Sequence, residues 1–575
     1  MTAAEIFKEL IKVDGKPERQ LLQYEALKII FDNPMDAYLR GECRVFGESR
    51  DRWGTVILFP EDAPGAMPHI TPETKVCPDI THWRDYCHAP DLVANCSNGW
   101  ERTLELCDQA RAEGKLATCL MGTGIFEQCH FLMGFEDTLT NLYEHPQEMH
   151  ELIDYITDYR ILYAKMVIEH MHPDAIVSHD DWGAKDSLFM KADMWREFFK
   201  EPYRRFYSYI KSQGVYIVHH ADSYLVPIVE DMVELGIDVW QGVLPENDIP
   251  ALQYQLQGRM TLMGGIGAAI DRKDATEEEI RAYVSKALKE YCPGGHFIPS
   301  ITYGAPGTVY RHVDPIIDSE ITIYNQTLHT PDYRPIKPVR RQVAERQTEE
   351  TVTEELQESY KPILEQISAT LQKGQKKKVL ALCQEGIEAG IPAQTMITNG
   401  MVQGMVALGE AFAENRAFVP EMLMAARCMS AATEYLKPYL VDSDSSSIGK
   451  VCIGTVKGDM HDIGKNLVKI MMEGNGFEVV DLGVDVPAEK FIETAKAEKC
   501  DIICCSALLT TTMDEMRNVV KLADESGIRD DVIIMIGGAP ITQNFCDEIG
   551  ADAYTDDAAT AARTAVKLVQ SKKAG

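Results

Sequence analysis

The chain is short of basic residues and of long apolar runs. It has 575 residues, with 57 lysines and arginines against 89 aspartates and glutamates and a formal net charge of −32. Such an acidic surface repels phosphate groups, so neither nucleic acid nor an anionic membrane is expected as a partner. No apolar run reaches the roughly 18 residues of a membrane-spanning helix. The N-terminal MTAAEIFKEL resembles an amphipathic helix start and lacks a signal-peptide core.

Paired cysteines are also missing. The fifteen cysteines form no CxxC pair and no evenly spaced framework, which argues against a disulfide scaffold. The adjacent Cys504 and Cys505 lie in a strand-like run and are predicted to be reduced core residues. These features predict a cytoplasmic protein.

The length predicts two to four domains. Over residues 1–326, helical patterns alternate with apolar strand-like runs at 115–121, 175–179, 215–219, 239–243, 260–264 and 296–300. This alternation predicts an α/β fold, a TIM-type (β/α)8 barrel of parallel strands. The active site of such a barrel lies at the carboxyl ends of its strands.

Polar residues cluster directly after several of these runs, which favours an active site over helix caps or a buried polar network. The candidate catalytic residues are Glu127, Asp180, Asp181, His219, His220 and Tyr303.

Three further segments follow the barrel. Residues 327–353 are rich in proline and charge and are predicted to be a linker. Residues 354–440 contain four apolar-periodic segments with short turns, which predicts a four-helix bundle. Residues 448–575 contain five strand–helix units, with strands at 451–456, 478–482, 501–508, 532–538 and 552–555. This pattern predicts a doubly wound, Rossmann-like parallel sheet. A nucleotide-binding domain is the weaker alternative, because neither GxGxxG nor a Walker lysine motif is present.

The stretch GTVKGDMHDIG (454–464) lies on the first strand-to-helix loop of this last segment. His461 can offer a ring nitrogen to a metal, and Asp459 can orient that ring by a hydrogen bond. Gly464 would let a bulky planar ligand approach the backbone. A solvated Asp–His pair on a surface loop is the alternative for an isolated D-x-H.

Two later stretches accompany this one, SALLTTTM (506–513) and GGAP (537–540). Together the three resemble the corrinoid-binding signature of cobalamin-dependent methyltransferases and methionine synthase. The resemblance implies that His461 binds cobalt from below and that Asp459 modulates it. It places Gly464, Ser506, Leu508, Thr510, Gly537 and Gly538 around the cofactor. Residues 400–429 resemble the family's helical cap, in which Met422 and Leu423 are expected to face the corrinoid.

A second resemblance covers residues 100–326. Phrases at 134–156, 174–183, 194–206 and 214–240 resemble the uroporphyrinogen decarboxylase superfamily, and more closely its methyltransferase branch. That branch often binds zinc through His-x-Cys and a later cysteine. Here His219 matches the histidine, Ala221 takes the cysteine position, and PSITYG (299–304) contains no cysteine. These departures argue against a thiol methyl acceptor. Zinc could still be held by nitrogen and oxygen ligands, His219 or His220 with Asp180, Asp181 or Glu127, and His219 is the named candidate. The alternative is a metal-free His219–Asp222 pair.

Both resemblances imply a corrinoid-dependent methyltransferase. It would demethylate a small methylated substrate (aryl methyl ether, methylamine, methyl sulfide or methyl halide) and transfer the methyl group to cobalt(I) of its own cobalamin. Onward transfer to an acceptor such as tetrahydrofolate would need a separate acceptor methyltransferase, and a corrinoid reductive activase would restore the cofactor. Homo-oligomer formation stays open. The alternatives are a cobalamin-binding carrier or sensor with a non-catalytic barrel and a tetrapyrrole decarboxylase.

Overall fold

The computed structural model describes residues 1–59, 66–302, 308, 310–327, 360–439, 448–459, 463–508, 512–538, 541–555 and 558–574. The chain forms two compact units, Met1–Arg341 and Gln342–Gly575. The division falls within the predicted linker, of which residues 328–353 lie outside the described residues. Among the described helices, none is both long and apolar enough to cross a lipid bilayer.

The first unit contains a parallel sheet and a small antiparallel one. Its strands are β1 (Leu27–Ile29), β2 (Gly47–Arg50), β3 (Val56–Phe59), β4 (Met67–Pro68), β5 (Leu116–Met121), β6 (Ala175–His179), β7 (Tyr216–His220), β8 (Val239–Val243), β9 (Thr261–Ile266) and β10 (Phe297–Ile301). The parallel sheet has the order β1-β5-β6-β7-β8-β9-β10, and β2-β3-β4 form the antiparallel sheet.

The parallel sheet curls around one core. Side chains from both edge strands, Leu27 and Ile298, share a buried cluster with Val177 and Val218 from the middle of the sheet. This is the predicted barrel-like fold, although the described residues supply seven parallel strands rather than eight. The strand β1 has only three residues and was not predicted from the sequence.

A helix closes the amino end of the barrel. Phe7 and Leu10 of α1 (Ala3–Leu10) belong to the barrel core. The carbonyl of Leu10 accepts hydrogen bonds from Thr261 Oγ1 at 2.8 Å and His296 Nδ1 at 2.7 Å. Both donors lie where β9 and β10 begin, so the opposite, carboxyl ends of the strands form the mouth of the barrel.

The remaining helices of this unit are α2 (Pro34–Arg40), α3 (Trp83–Tyr86), α4 (Leu92–Cys96), α5 (Glu101–Ala112), α6 (Ile125–Met133), α7 (Phe135–Glu144), α8 (Pro146–Met171), α9 (Ala192–Trp195), α10 (Glu201–Ser212), α11 (Val229–Glu234), α12 (Ile249–Leu256), α13 (Glu277–Tyr291) and α14 (Val313–Thr327).

The second unit begins with the predicted helices. These are α15 (Lys361–Leu371), α16 (Lys376–Glu388), α17 (Ala393–Thr395), α18 (Gln403–Ala413) and α19 (Val419–Leu436). A π-helical segment, Met396–Val402, joins α17 to α18, so the third predicted segment is one helix with a wider turn in its first half. Apolar side chains from each helix are buried, as expected for a bundle.

A five-stranded parallel sheet follows. Its strands are β11 (Lys450–Thr455), β12 (Glu478–Asp481), β13 (Ile502–Ser506), β14 (Ile533–Gly537) and β15 (Ala553–Tyr554), in the order β12-β11-β13-β14-β15. Its helices are α20 (Ile463–Gly474), α21 (Ala488–Glu498), α22 (Met513–Glu525), α23 (Gln543–Ile549) and α24 (Ala558–Ala574). The strand order reverses at β11, so the crevice beyond β11 and β13 is the topological switch point where such sheets bind ligands.

Candidate functional site

The alternation of side chains along β6 and β7 decides which residues face the inside of the barrel. His179 of β6 pairs in register with His220 of β7, and Ser178 pairs with His219. Val177 and Val218, two residues earlier on each strand, lie in the barrel core. Because alternate side chains share a face, His179 and His220 point into the barrel and His219 points outward. The inward pair stacks with ring centroids 4.5 Å apart.

His220 has a defined tautomer. Its Nδ1 lies 2.5 Å from the side-chain oxygen of Gln241 on β8, so Nδ1 donates and Nε2 keeps its lone pair. Burial, reinforced by the charge on His179, lowers the pKa of His220 to about 3. His220 is therefore neutral at neutral pH and can act as a ligand through Nε2.

His179 is held by a carboxylate. Its Nδ1 lies 2.9 Å from Glu127 Oε2, which also accepts a hydrogen bond from the Gly124 N–H at 3.1 Å. Burial opposes the charged form of His179, but the charge and hydrogen bond of Glu127 outweigh it and raise the pKa of His179 to about 10. Burial likewise favours neutral Glu127, but the charge of His179 prevails and lowers the pKa of Glu127 to about 2.

Asp181 completes the group. Its Oδ1 accepts hydrogen bonds from the Asp222 N–H at 3.1 Å and from Ser223 Oγ at 3.3 Å. Its Oδ2 lies 4.0 Å from His179 Nε2. Burial raises the pKa of Asp181 to about 6, against the opposing effect of the charge on His179. Ligand-type atoms of His179, Asp181 and His220 all lie within 4.8 Å of one another. We call these three residues the mouth triad.

Not all the predicted catalytic residues meet here. Asp181 and His220 belong to the mouth triad, and Glu127 supports it. The fully buried Asp180 turns its carboxylate away from the mouth, towards the N-terminus of α6. Tyr303 lies outside the described residues.

The expectation that His219 holds zinc does not agree with this geometry. His219 is fully buried, its Nδ1 lies 2.8 Å from Tyr207 Oη, and its ring stacks on Trp182 at 4.1 Å. Tyr207, and not Asp222, is its hydrogen-bonding partner. The sequence reasoning did not include His179, which the structure places in the mouth triad. The signal for it is that β6 and β7 both end in histidine, which neighbouring parallel strands can bring side by side.

In the second unit, Asp459 ties two loops of the switch point together. Its fully buried carboxylate accepts hydrogen bonds from the Leu508 N–H at 2.7 Å and Thr512 Oγ1 at 3.0 Å. The loop after β11 is thereby held against the loop after β13. His461 and Thr510 lie outside the described residues, so their roles stay predictions.

Bare backbone and one exposed apolar side chain line this edge of the sheet. A Cβ on Gly464 would meet no described atom within 4 Å, and one on Gly537 would meet only the Thr555 carbonyl oxygen, at 3.5 Å. Leu508 is 43% exposed. Ser506 ends β13, in register between Thr455 and Gly537. Open space above glycines and beside an exposed leucine suits a large, flat ligand such as a corrinoid.

Gly538 has a different reason to be glycine. Its φ is +134°, and a Cβ there would lie 1.8 Å from the carbonyl oxygen of Ala507. The close approach of the two strand ends therefore requires glycine, with or without a ligand. Met422 and Leu423 of α19 are almost fully buried, and their contact with the cofactor stays a prediction.

A buried lysine anchors the helix beside the proposed corrinoid loop. The Lys465 side chain is 3% exposed, and its Nζ lies 2.6 Å from Asp481 Oδ1 at the end of β12. Asp481 Oδ2 also lies 3.2 Å from Lys469 Nζ. This network attaches the first turns of α20 to the edge of the sheet.

Comparisons with known proteins agree with both regions. A B12 binding domain matches residues 449–565, another B12 binding domain matches 363–437, and uroporphyrinogen decarboxylase (URO-D) matches 68–312. Dimethylamine corrinoid protein 2 of Methanosarcina acetivorans is 39% identical over 215 residues, which is 37% of this chain and 99% of the relative. Trimethylamine corrinoid protein 1 of the same organism is 44% identical over 179 residues, or 31% of this chain and 83% of the relative.

Among solved structures, a chain of the methanol:cobalamin methyltransferase complex MtaBC from Methanosarcina barkeri is 31% identical, covering 36% of this chain and 80% of its own, with a TM-score of 0.34. The family matches and the curated relatives carry the assignment. The chain belongs to the corrinoid-dependent methyltransferases, as a URO-D-type barrel fused to a B12-binding module. The predicted fold class, cobalamin cofactor and enzyme class are thus confirmed.

Proposed function

We propose that the barrel binds a small molecule with a methyl group on nitrogen, oxygen, sulfur or halogen. The mouth triad would hold a divalent metal, most simply zinc, which would coordinate that heteroatom. Among these donors we place methylated amines first, because the relatives of the C-terminal module are named as corrinoid proteins for dimethylamine and trimethylamine. The methyl group would then pass to the corrinoid of the same chain.

One observation supports the metal proposal: in each mouth-triad residue, one ring nitrogen or carboxylate oxygen already has a hydrogen-bonding partner in the chain. Glu127 takes the Nδ1 proton of His179, Gln241 takes that of His220, and Ser223 is one of two donors to Asp181 Oδ1. Of the remaining atoms, His179 Nε2 lies 4.0 Å from Asp181 Oδ2, and one ligand-type atom from each of the three residues lies within 4.8 Å of the others. Two imidazoles and a carboxylate with an open position are a donor set that zinc accepts in catalytic sites, and such supporting hydrogen bonds are typical of metal ligands.

The chemistry requires such a group. Amines, ethers and thioethers are poor leaving groups, so the charge that develops on the heteroatom must be stabilised as the methyl carbon departs. With a metal in place, Glu127 and Gln241 would hold both imidazoles as Nδ1–H tautomers with Nε2 towards the metal. Asp181 would present Oδ2.

When bound, the corrinoid supplies a cobalt atom that takes up the methyl group. In the chain itself, Gly464 and Gly537 would let the ring lie on backbone, and Leu508 would cover apolar surface. Asp459 would hold the two flanking loops together, and His461 would be the lower ligand of cobalt. We also propose that a separate methyltransferase consumes the methyl group, that an activase restores the reduced cofactor, and that these steps take place in the cytoplasm.

The test uses the full chain reconstituted with cobalamin and reduced. Each donor class is added, and the absorbance of the reduced cofactor is followed. We expect decay with one donor class and one bound zinc per chain. Asp181→Asn and His220→Gln should lose zinc and slow the decay by at least about 100-fold. Replacement of the exposed His172 by Gln is the matched control and should change neither. Unchanged rates in both mouth-triad variants would contradict the metal proposal. A protein that binds cobalamin but consumes no donor would instead be a carrier.

A further inference from the structure

The sequence predicts Asp180 as a catalytic residue, but its buried carboxylate is held by four hydrogen-bond donors of the chain. Oδ1 accepts the Glu127 N–H at 2.8 Å, and Oδ2 accepts the Phe126 N–H at 2.9 Å. Trp182 Nε1 donates to Oδ2 at 3.0 Å, and the Tyr203 hydroxyl donates to the same oxygen. Three of the four donors share Oδ2, so that oxygen is fully engaged, while Oδ1 accepts one hydrogen bond.

Two of the four donors belong to the helix that supports the mouth triad. Phe126 and Glu127 lie in the first turn of α6, and the side chain of Glu127 orients His179. In the chain, Asp180 stands between His179 and Asp181. One buried carboxylate therefore joins the end of β6 and the loop after it, which carry His179 and Asp181, to the helix that carries Glu127.

Packing around this carboxylate is tight. A Cβ on Gly124 would lie 2.2 Å from the carboxyl carbon of Asp180, so only glycine leaves room at the start of α6. On the other side, the Trp182 ring meets the Tyr203 ring edge-on, at 5.0 Å, and stacks on the His219 ring, at 4.1 Å. All of these side chains are fully buried. This aromatic layer holds the two side-chain donors in place.

We propose that Asp180 is the positioning residue of the barrel mouth, which sets the distance between the mouth triad and Glu127 and is itself held by Tyr203 and Trp182. The inference rests on the proposed metal site for its effect on metal affinity, but not for its effect on α6. It also gives His219 a role: its buried ring is the surface on which Trp182 stacks.

Asp180→Asn is the direct test, because one oxygen becomes an NH2 group that faces N–H or O–H donors. Two quantities are measured on the full chain without added corrinoid: hydrogen exchange of the peptide covering Phe126 and Glu127, and zinc affinity by calorimetric titration. We expect exchange at these two amides to speed up by at least about 10-fold, and the zinc dissociation constant to rise by about 10–100-fold, as for other residues that support metal ligands.

Asp181→Asn is the matched control, one residue away. It removes a ligand, so zinc binding should be lost while exchange at the start of α6 stays as in the wild type. Tyr203→Phe removes one of the four donors and keeps the carboxylate, so both quantities should move in the direction of Asp180→Asn but less.

Unchanged zinc affinity and unchanged exchange in folded Asp180→Asn overturn the inference. Should that variant fail to fold, Tyr203→Phe decides in the same way. A wild-type chain that binds no zinc refutes the metal site of the proposed function, and the exchange measurement then decides the positioning role by itself.

Discussion

Two glycines at the corrinoid edge of the sheet should respond oppositely to the same substitution. Gly464 stands in the first turn of α20, and a Cβ there would have no described atom within 4 Å. Alanine costs less conformational entropy than glycine in a helix, so Gly464→Ala should leave the ligand-free protein unchanged or stabilise it by up to about 1 kcal/mol. The added methyl group enters the space proposed for the corrin ring. Cobalamin affinity should therefore fall by at least about 10-fold, or roughly 1.4 kcal/mol.

Gly538→Ala should lower the stability of the ligand-free protein. Its Cβ would lie 1.8 Å from the Ala507 carbonyl oxygen, whereas real Cβ contacts stay above 3.0 Å, so the strand ends must separate by about 1.2 Å (3.0 − 1.8). Overpacking of this kind costs about 1–3 kcal/mol. The φ of +134° adds about 1–3 kcal/mol for a residue with a side chain. The sum, about 2–6 kcal/mol, is a large part of the stability of a typical domain.

Both variants are assayed in the same two ways. Urea denaturation of the ligand-free full chain, followed by circular dichroism, measures the stability of the second unit. Absorbance titration with aquocobalamin measures affinity. Wild-type affinity in Gly464→Ala would refute the idea that the ring lies over that backbone. Wild-type stability in Gly538→Ala would refute the steric argument for that turn.

Three further changes have defined outcomes. Glu127→Gln removes the charge behind His179 and should weaken zinc binding by about 10–100-fold in calorimetric titration; unchanged affinity would show that the charge is not needed. Lys465 and Lys469 outweigh the effect of burial and lower the pKa of Asp481 below its ordinary value. Asp481 therefore stabilises the second unit above about pH 4, and the contribution disappears as pH falls through the lowered pKa. Asp481→Asn should cost roughly 1–3 kcal/mol at pH 7 in urea denaturation, because the lysine of the pair is buried and the carboxylate is partly exposed. The cost should shrink progressively as pH falls below about 4, and a loss independent of pH would contradict this. His461→Ala, reconstituted with cobalamin, should change the spectroscopic signature of the lower ligand, and an unchanged spectrum would refute its role.

Much of the corrinoid module could be predicted from the sequence because its signals are local. The five strands begin and end within two residues of their predicted bounds, and the loop motif at 454–464 follows β11 as expected. Gly464, Ser506, Leu508 and Gly537 lie at one edge because parallel strands place their carboxyl ends together. Gly538 is the exception, since its close contact with Ala507 comes from a neighbouring strand and leaves no mark in the local pattern.

Prediction from local patterns was less complete for the barrel. Local periodicity identified six of its seven parallel strands and missed β1, which at three residues is too short for a pattern. The adjacent His219 and His220 indicate a polar strand end, but the sequence does not show which of the two side chains points into the barrel. The sequence therefore leaves open whether His219 or His220 faces a metal, because nothing local distinguishes the two faces of the strand.

Local patterns in the sequence are enough to predict the order of strands and helices, the corrinoid loop motif and the polar residues that follow the barrel strands. The inward direction of His220, the place of His179 beside it and the turn of Asp180 away from the mouth follow from the folded barrel. The reason is physical. Alternation along a strand fixes which residues share a face, but the curl of the sheet decides which face is the inside.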